Sequence, residues 1–178
     1  MSHRNENEEN SRPAQFLVDN IELLPRGKAL DIAMGSGRNA IYLANNGFEV
    51  EGIDISEDAL NSARRLAKEN MVNLRAELAD LEKDYQIKPA FYDVMVCFNY
   101  LQRSLIPQMK AGLKSGGMIV YETFIIDQPK FGKPCNPDFL LKHNELLNMF
   151  RDFRCLRYRE GIIENRKAIA SLVAEKIQ

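Results

Sequence analysis

The sequence is poor in cysteine, in long apolar runs and in net charge, and each shortage excludes a class of protein. Its three cysteines are far apart, and none has the Cys or His spacing of a zinc site, so we expect reduced thiols and no metal. Its longest apolar runs fall well short of the roughly 20 residues that cross a bilayer. The first eleven residues are polar and lack the apolar segment of a secretory signal. These features predict a soluble, cytoplasmic protein without a membrane partner.

The charge balance argues against a dedicated nucleic-acid binder. Lys and Arg number 24 and Asp and Glu 25, whereas such a binder normally carries a clear basic excess. A chain of 178 residues that is 45% apolar is long enough to bury a core and is near the usual size of one domain. We therefore expect a disordered tail over residues 1–11, followed by a single domain over residues 12–178.

Apolar, strand-like runs alternate with amphipathic helical segments through the first two thirds of the chain. The predicted strands cover residues 28–34, 49–55, 72–78, 92–98 and 118–124. Helices are predicted after Pro13, over residues 37–46 and 107–113, and from the cap residue Ser56 to about residue 70. This alternation predicts parallel β-α-β units with right-handed crossovers.

The last third breaks the alternation. After a helix over residues 144–150, two strand-like runs at residues 153–158 and 168–174 follow without a helix between them. Residues 160–166 are therefore predicted to be a hairpin connection, which makes this end of the sheet antiparallel. The expected fold is α/β: a doubly wound, seven-stranded, mostly parallel, Rossmann-like sheet with a C-terminal antiparallel hairpin.

A glycine-rich loop between the first strand and the first long helix is the sharpest local feature. Gly35 and Gly37 begin a G-x-G-x-x-A pattern in which the backbone can approach a ligand with no Cβ in the way. The helix start beyond it offers free N–H groups. Asp54 follows Gly35 by nineteen residues, at the end of the second strand, where an acid can accept both hydroxyls of a ribose. The pattern predicts a nucleotide-type cofactor.

Acidic residues distinguish two cofactor classes that use such a loop. Asp31, at the loop's mouth, would repel the pyrophosphate of a dinucleotide but suits a ligand with an ammonium and a sulfonium cation. Asp80 and Leu81, after the third strand, could accept from an adenine amine and pack against its ring. The trio of acids favours S-adenosylmethionine, and an NAD-dependent oxidoreductase is the least favoured alternative.

The chain resembles class I S-adenosylmethionine-dependent methyltransferases over about residues 12–177. ALDIAMGSGRNAIYLA is similar to their first motif, GIDIS to the second, ELADLE to the third, FYDVMVCFNYL to the fourth and LKSGGMIVYETF to the fifth. The chain looks most like small bacterial enzymes near the tellurite-resistance and thiopurine methyltransferase groups. Ala33 departs from the first motif, which usually has glycine there, and the backbone would still fit if its φ is negative.

The resemblance implies that S-adenosylmethionine is the cofactor, with the methionyl ammonium held by Asp31 and the carbonyl of Phe98. The methionyl carboxylate would lie near the start of the helix, the ribose at Asp54 and the adenine at Asp80. The implied cofactor-binding residues are Asp31, Ala33, Gly35, Gly37, Arg38, Asn39, Asp54, Ile55, Asp80, Leu81, Phe98 and Asn99.

The catalytic residues are less well marked, and the candidates are Glu122, Arg103 and Tyr100. Arg103 could pair with an anionic substrate or with a carboxylate of the chain. Glu122, near the end of an apolar strand, needs a partner, which could be the substrate or cofactor, or a structural one such as Arg103. The loop over residues 127–137 could be a lid or a surface excursion.

The connections between strands are short and leave no room for a separate substrate domain. This economy favours a methyltransferase that acts on a small-molecule acceptor. Two further alternatives stay open: a non-catalytic module that binds S-adenosylmethionine, and an RNA methyltransferase.

Overall fold

The computed structural model describes residues 12–83 and 85–177, within which the chain forms seven strands and five α-helices. The predicted disordered tail, residues 1–11, lies outside the described residues. The strands are β1 (Lys28–Ile32), β2 (Glu49–Asp54), β3 (Leu74–Leu78), β4 (Tyr92–Phe98), β5 (Leu113–Phe124), β6 (Arg154–Ile163) and β7 (Lys167–Glu175). The helices are α1 (Gln15–Asn20), α2 (Arg38–Asn45), α3 (Glu57–Glu69), α4 (Ile106–Gly112) and α5 (Glu145–Met149).

One sheet contains all seven strands, in the order β3-β2-β1-β4-β5-β7-β6. The strands β1 to β5 pair in parallel, while β7 is antiparallel to both β5 and β6. The chain runs outward from β1 to β3 and then starts again at β4, on the other side of β1. The carboxyl ends of β1 and β4 are therefore the switch point where ligands bind in open α/β sheets. The predicted fold class is confirmed.

The two faces of the sheet are covered by different helices. Val94, Val96, Val120 and Val173 point to the face that packs against apolar residues of α1, α2 and α3. Residues at the alternate strand positions point to the other face, which packs against α4 and α5. We call the first of these the α1 face. The hydroxyl of Ser56 accepts a hydrogen bond from the N–H of Ala59 at 3.2 Å, which confirms the predicted cap of α3.

Two strands are longer than predicted. β5 begins at Leu113, directly after α4, because Leu113 pairs with Tyr92 of β4. The pairing with β4 is interrupted at the glycine pair, where Gly116 has φ +76°, and it resumes between Met118 and Val94. β6 continues to Ile163, since Gly161 stays paired with Ile169 despite its glycine backbone. The prediction of a hairpin connection over residues 160–166 is therefore wrong in extent, and the turn is residues 164–166.

Candidate functional site

The loop between β1 and α2 turns tightly through three residues with positive φ. Gly35 has φ +57° and Gly37 has φ +84°. A Cβ on Gly37 would lie 2.8 Å from the Cβ of Ala63, so this glycine lets α2 and α3 pack closely. A Cβ on Gly35 would meet nothing within 4 Å, so the backbone at that position borders open space. The loop thus combines a close packing contact with a bare backbone surface.

Ala33 is the third residue of the loop with a positive φ, at +53°. The condition that the sequence analysis set for alanine at this position, a negative φ, is therefore not met. The backbone makes a left-handed turn that a glycine would adopt easily, and the alanine side chain is strained in that conformation. The loop thus keeps its tight turn at the cost of backbone strain at Ala33.

Asp31 is buried at the carboxyl end of β1, with only 1% of its surface exposed. Within the described residues, its Oδ2 is the one buried side-chain oxygen or nitrogen without a hydrogen-bond partner. Burial raises the pKa of Asp31 from 3.8 to about 8, and the backbone N–H of Ala40 and the charge of Arg38 act in the opposite direction. This carboxyl group is therefore poised to ionise when a cation binds beside it.

Asp54 lies at the end of β2 and holds the glycine loop in place. One carboxylate oxygen accepts from the backbone N–H of Gly35 at 2.8 Å, and the other accepts from the N–H of Ser56 at 2.9 Å. A carboxylate offers about four acceptor positions, so two are left for hydroxyl donors. Asp54 therefore links β2, the loop and the start of α3 around one side chain.

The segment that leads into α1 docks on the start of α2. The side-chain oxygen of Asn39, which is buried, accepts from the backbone N–H of Ala14 at 2.8 Å. The guanidinium of Arg38 donates to the carbonyl of Arg12 at 3.3 Å. The N-terminal segment is thus fastened beside the glycine loop and covers the α1 face there.

A pocket of about 420 Å³ lies at the switch point between the carboxyl ends of β1 and β4. Its lining consists of Asp31, Ala33, Met34, Gly35, Ser36, Arg38, Asn39, Phe98, Asn99 and Tyr100. Eight of these positions are among those that the sequence predicts for the site. Met34 and Ser36 were not predicted; both lie inside the loop motif, and their position between predicted residues is the signal that could have identified them.

The predicted adenine-side residues lie outside this lining. Asp80 accepts from the N–H of Glu82 at 2.9 Å and pairs with Lys83 at 2.9 Å, and these contacts lower its pKa, the Lys83 hydrogen bond most. Leu81 is buried, whereas Ile55 is 68% exposed. An adenine role for these three residues stays a prediction.

Arg103 is held by the chain itself. Its guanidinium makes a bidentate pair with Glu145, with N–O distances of 2.6 and 3.0 Å, and donates to the carbonyls of Asp138 and Leu140 at 2.9 Å each. Of the two interpretations weighed for Arg103, the structure favours the pair with a carboxylate of the chain. Arg103 thereby anchors the segment after the loop at residues 127–137.

Glu122 is 5% exposed near the end of β5 and does not pair with Arg103, contrary to one expectation. Its carboxylate accepts from the hydroxyl of Ser171 at 2.7 Å and from Arg159 at 3.1 Å. Arg159 was not among the candidates, because linear spacing alone does not reveal which arginine of the hairpin faces Glu122, 37 residues earlier in the chain. The third candidate, Tyr100, lines the pocket, and its hydroxyl donates to Gln102 at 2.7 Å.

Comparison with known proteins places these features in a family. The family model for "Tellurite resistance protein TehB" matches residues 6–174. The chain belongs to the TehB family. A TehB-family relative from Haemophilus influenzae, described as "Probable S-adenosyl-L-methionine-dependent methyltransferase TehB", is 27% identical over 158 residues, which is 85% of this chain and 54% of that protein. The resemblance to small S-adenosylmethionine-dependent methyltransferases is confirmed.

Two other comparisons bear on how far the likeness extends. "Hemagglutinin 1" of Eikenella corrodens is 30% identical over 146 residues, 76% of this chain and 46% of that protein. The crystal structure of TehB from Haemophilus influenzae superposes with a TM-score of 0.76 at 23% identity, over 92% of this chain and 62% of that one. This TehB-family chain therefore shares the fold and spans about half the length of the curated relatives it matches. Within its described residues, no helix combines the length and the hydropathy needed to span a bilayer.

Proposed function

We propose that residues 12–178 form a single methyltransferase domain that transfers a methyl group from S-adenosylmethionine to a small-molecule acceptor. Family membership supports the reaction class, and the name of the Haemophilus influenzae relative carries the same cofactor. A cytoplasmic location and the cofactor-binding roles predicted from sequence are part of this proposal.

The observation that carries the proposal is the unpaired oxygen of Asp31 in the wall of the pocket. A buried carboxyl group with an open acceptor is costly unless a ligand supplies a donor. The ammonium of a methionyl group supplies both the donor and the charge that would ionise Asp31. A pyrophosphate brings neither a donor for the open oxygen nor a positive charge that would stabilise ionised Asp31, which disfavours a dinucleotide.

Bound S-adenosylmethionine supplies a carbon already activated by its sulfonium, so the protein has to align and shield it. Asp31 would hold the ammonium, and the bare backbone at Gly35 would lie under the ligand. Asp54 would accept from ribose hydroxyls with the two acceptor positions that the loop leaves open. Tyr100 and Asn99, at the end of β4, would border the acceptor side of the pocket.

The short connections of the sheet support a small acceptor. The connections between β1 and β4 carry no inserted domain that could hold a macromolecule. The sequence as a whole also lacks the basic excess that would favour a polyanionic polymer such as RNA.

Calorimetry with S-adenosylhomocysteine tests the proposal. We expect binding to the wild type and at least roughly tenfold weaker binding to Asp31→Asn, because a charge-assisted hydrogen bond is lost. Asp58→Asn, at an exposed acid in the first turn of α3, is the matched control and should bind as the wild type does. Binding of NADH in place of S-adenosylhomocysteine would refute the assignment. Conversion of S-adenosylmethionine to S-adenosylhomocysteine with a panel of small acceptors then separates an enzyme from a binding module.

A further inference from the structure

Two neighbouring side chains at the start of α2 line the pocket and also hold the N-terminal segment. The side-chain oxygen Oδ1 of Asn39 accepts from the backbone N–H of Ala14 at 2.8 Å. The guanidinium of Arg38 donates to the carbonyl of Arg12 at 3.3 Å. We call residues 12–14 the strap. It is joined to the pocket wall by these two contacts and continues into α1, which packs on the sheet.

The strap fixes the orientation of the Asn39 carboxamide. A backbone N–H can only donate, so the oxygen of the carboxamide has to face Ala14, and the nitrogen Nδ2 faces away from it. Asn39 is only 4% exposed, and Nδ2 has no acceptor in the described part of the chain. Because Asp31 Oδ2 is the one fully buried side-chain atom there without a partner, Nδ2 reaches open space. Its two N–H donors are therefore directed into the pocket that Asn39 lines.

A hydrogen-bond acceptor and a donor thus lie side by side in this part of the pocket. The backbone N–H of Ala40 donates to the carboxyl group of Asp31, and Asn39 is the residue before Ala40. The open oxygen of Asp31 can accept from an ammonium, while Nδ2 of Asn39 can donate to a carboxylate. An α-amino acid carries both groups on one carbon. The side chain that the strap orients is therefore the one suited to the carboxylate of such a ligand.

We propose that the strap is a positioning element for the methionyl carboxylate of the cofactor and acts through Asn39. With Ala14 docked, the carboxamide already presents its nitrogen to the carboxylate; without Ala14 it is free to turn, and binding has to order it. By reciprocity, a carboxylate bound at Asn39 stabilises the docked strap by the same factor. The adenosine end of the cofactor takes no part in this coupling. The inference rests on the proposed methyltransferase function.

Two ligands and one substitution in the strap test the coupling. S-adenosylhomocysteine carries the amino-acid end, whereas 5′-methylthioadenosine lacks it. Ala14→Pro removes the N–H that Asn39 accepts, and the φ of −58° at Ala14 is one that proline adopts. By calorimetry, Ala14→Pro should bind S-adenosylhomocysteine roughly three- to tenfold more weakly, as expected for one hydrogen bond. It should bind 5′-methylthioadenosine as the wild type does.

Gln15→Pro is the matched control. Gln15 is exposed and is the first residue of α1, a position where proline is tolerated. The N–H of Ala14 stays in place, and the ψ of 129° at Ala14 suits a residue before proline. Gln15→Pro should therefore bind both ligands as the wild type does.

Variants of Asn39 test whether the strap acts through this side chain. Asn39→Asp keeps an acceptor for Ala14 but replaces the N–H donors with an anionic oxygen. It should bind S-adenosylhomocysteine at least roughly tenfold more weakly and leave the affinity for 5′-methylthioadenosine unchanged. In an Asn39→Ala background, Ala14→Pro should cause no further loss, because two groups that act as one unit are not additive.

Hydrogen exchange of the Ala14 amide, followed by NMR, measures docking of the strap directly. Exchange should slow when S-adenosylhomocysteine is added to the wild type and should not change with 5′-methylthioadenosine, which has no carboxylate to offer Asn39.

Four results would overturn the inference. They are unchanged affinity of Ala14→Pro for S-adenosylhomocysteine, equal losses for both ligands, additive losses in the double variant, and an Ala14 exchange rate that S-adenosylhomocysteine does not alter. If 5′-methylthioadenosine does not bind the wild type, the double variant and the comparison with Gln15→Pro decide. Failure of the wild type to bind S-adenosylhomocysteine would instead refute the proposed function. Thermal unfolding of each variant shows whether a loss of binding reflects loss of the fold.

Discussion

Replacing Asp31 with Asn should change how the stability of the ligand-free protein depends on pH. The carboxyl group is buried, one of its oxygens has no partner among the described residues, and burial raises its pKa from 3.8 to about 8. Asn has nearly the same shape and does not titrate. The variant therefore removes the proton equilibrium and little else.

The direction in which stability changes with pH follows from the raised pKa of Asp31. Between about pH 4 and pH 8 the folded protein retains a proton on Asp31 that the unfolded chain has released. This group's contribution to the free energy of unfolding is thus fully present below the unfolded pKa and is lost as the pH rises through the folded value. At about 1.36 kcal/mol per pH unit, the difference between 3.8 and about 8 amounts to roughly 6 kcal/mol.

Urea denaturation of the ligand-free protein at several pH values measures this effect. Relative to Asp31→Asn, the wild type should lose about 1.4 kcal/mol for each pH unit between roughly pH 5 and pH 7.5. Taking the difference between the two proteins cancels the titration of all other groups that the substitution leaves unchanged. Asp58→Asn, at an exposed site, should show no such slope against the wild type.

Binding of S-adenosylhomocysteine should release the proton that Asp31 carries in the ligand-free protein. If its ammonium lies beside Asp31, binding near pH 6.5 should release about one proton from the wild type and none from Asp31→Asn. Calorimetry in buffers of different ionisation enthalpy counts these protons. A parallel pH dependence of stability in the two proteins, together with no proton release, would refute the role given to Asp31.

Three further substitutions test other parts of the site. Asp54→Ala should weaken S-adenosylhomocysteine binding at least roughly tenfold by calorimetry, because it removes an acceptor for the ligand and for the N–H of Gly35, whereas Asp58→Ala should not. Ala33→Gly should raise the free energy of unfolding, measured in urea, by about 0.5–1 kcal/mol, since φ is +53° at this position. Ala44→Gly, inside α2, should lower the free energy of unfolding by a similar amount. A change of the same sign in both variants would contradict backbone strain at Ala33. Arg103→Gln should lower the free energy of unfolding by about 2 kcal/mol and speed proteolysis between residues 127 and 144. Lys130→Gln, which removes an exposed ion pair with Asp127, should change neither the stability nor the rate of proteolysis.

The order of elements and the location of the pocket could be predicted from the sequence because both depend on local patterns. Alternation of apolar runs with amphipathic segments determines the parallel units, and the Gly35–Gly37 loop follows from residue types at fixed spacing. Element ends were less predictable. β6 runs through Gly161 because backbone pairing with Ile169 of β7 outweighs the local preference of glycine. β5 instead accommodates Gly116 in an irregular stretch between the paired residues Leu113 and Met118, which local residue types do not reveal.

The partners of charged side chains could not be predicted in the same way. Glu122 was recognised as an acid that needs a partner, but its partners lie 37 and 49 residues further along the chain. Sheet register brings them together, and a slip of one residue would turn Arg159 to the opposite face. The positive φ of Ala33 could not be predicted either, since the loop's contacts with β2 override the preference of a single alanine. One of these contacts is the hydrogen bond from the N–H of Met34 to the carbonyl of Ile53, at 2.9 Å.

The near-zero net charge of the chain therefore conceals a separation of acidic from basic side chains, which the fold produces on the α1 face. Asp31 and Asp54 bring acidic groups to the ends of β1 and β2, while Arg159 brings a fixed cation to β6. The segment around α1 contacts both regions, through Ala14 at Asn39 and through Phe16 at Arg159. A methyl donor that carries positive charge is thus favoured at the acidic end of the α1 face, whereas the cation on β6 is paired with Glu122 of the chain.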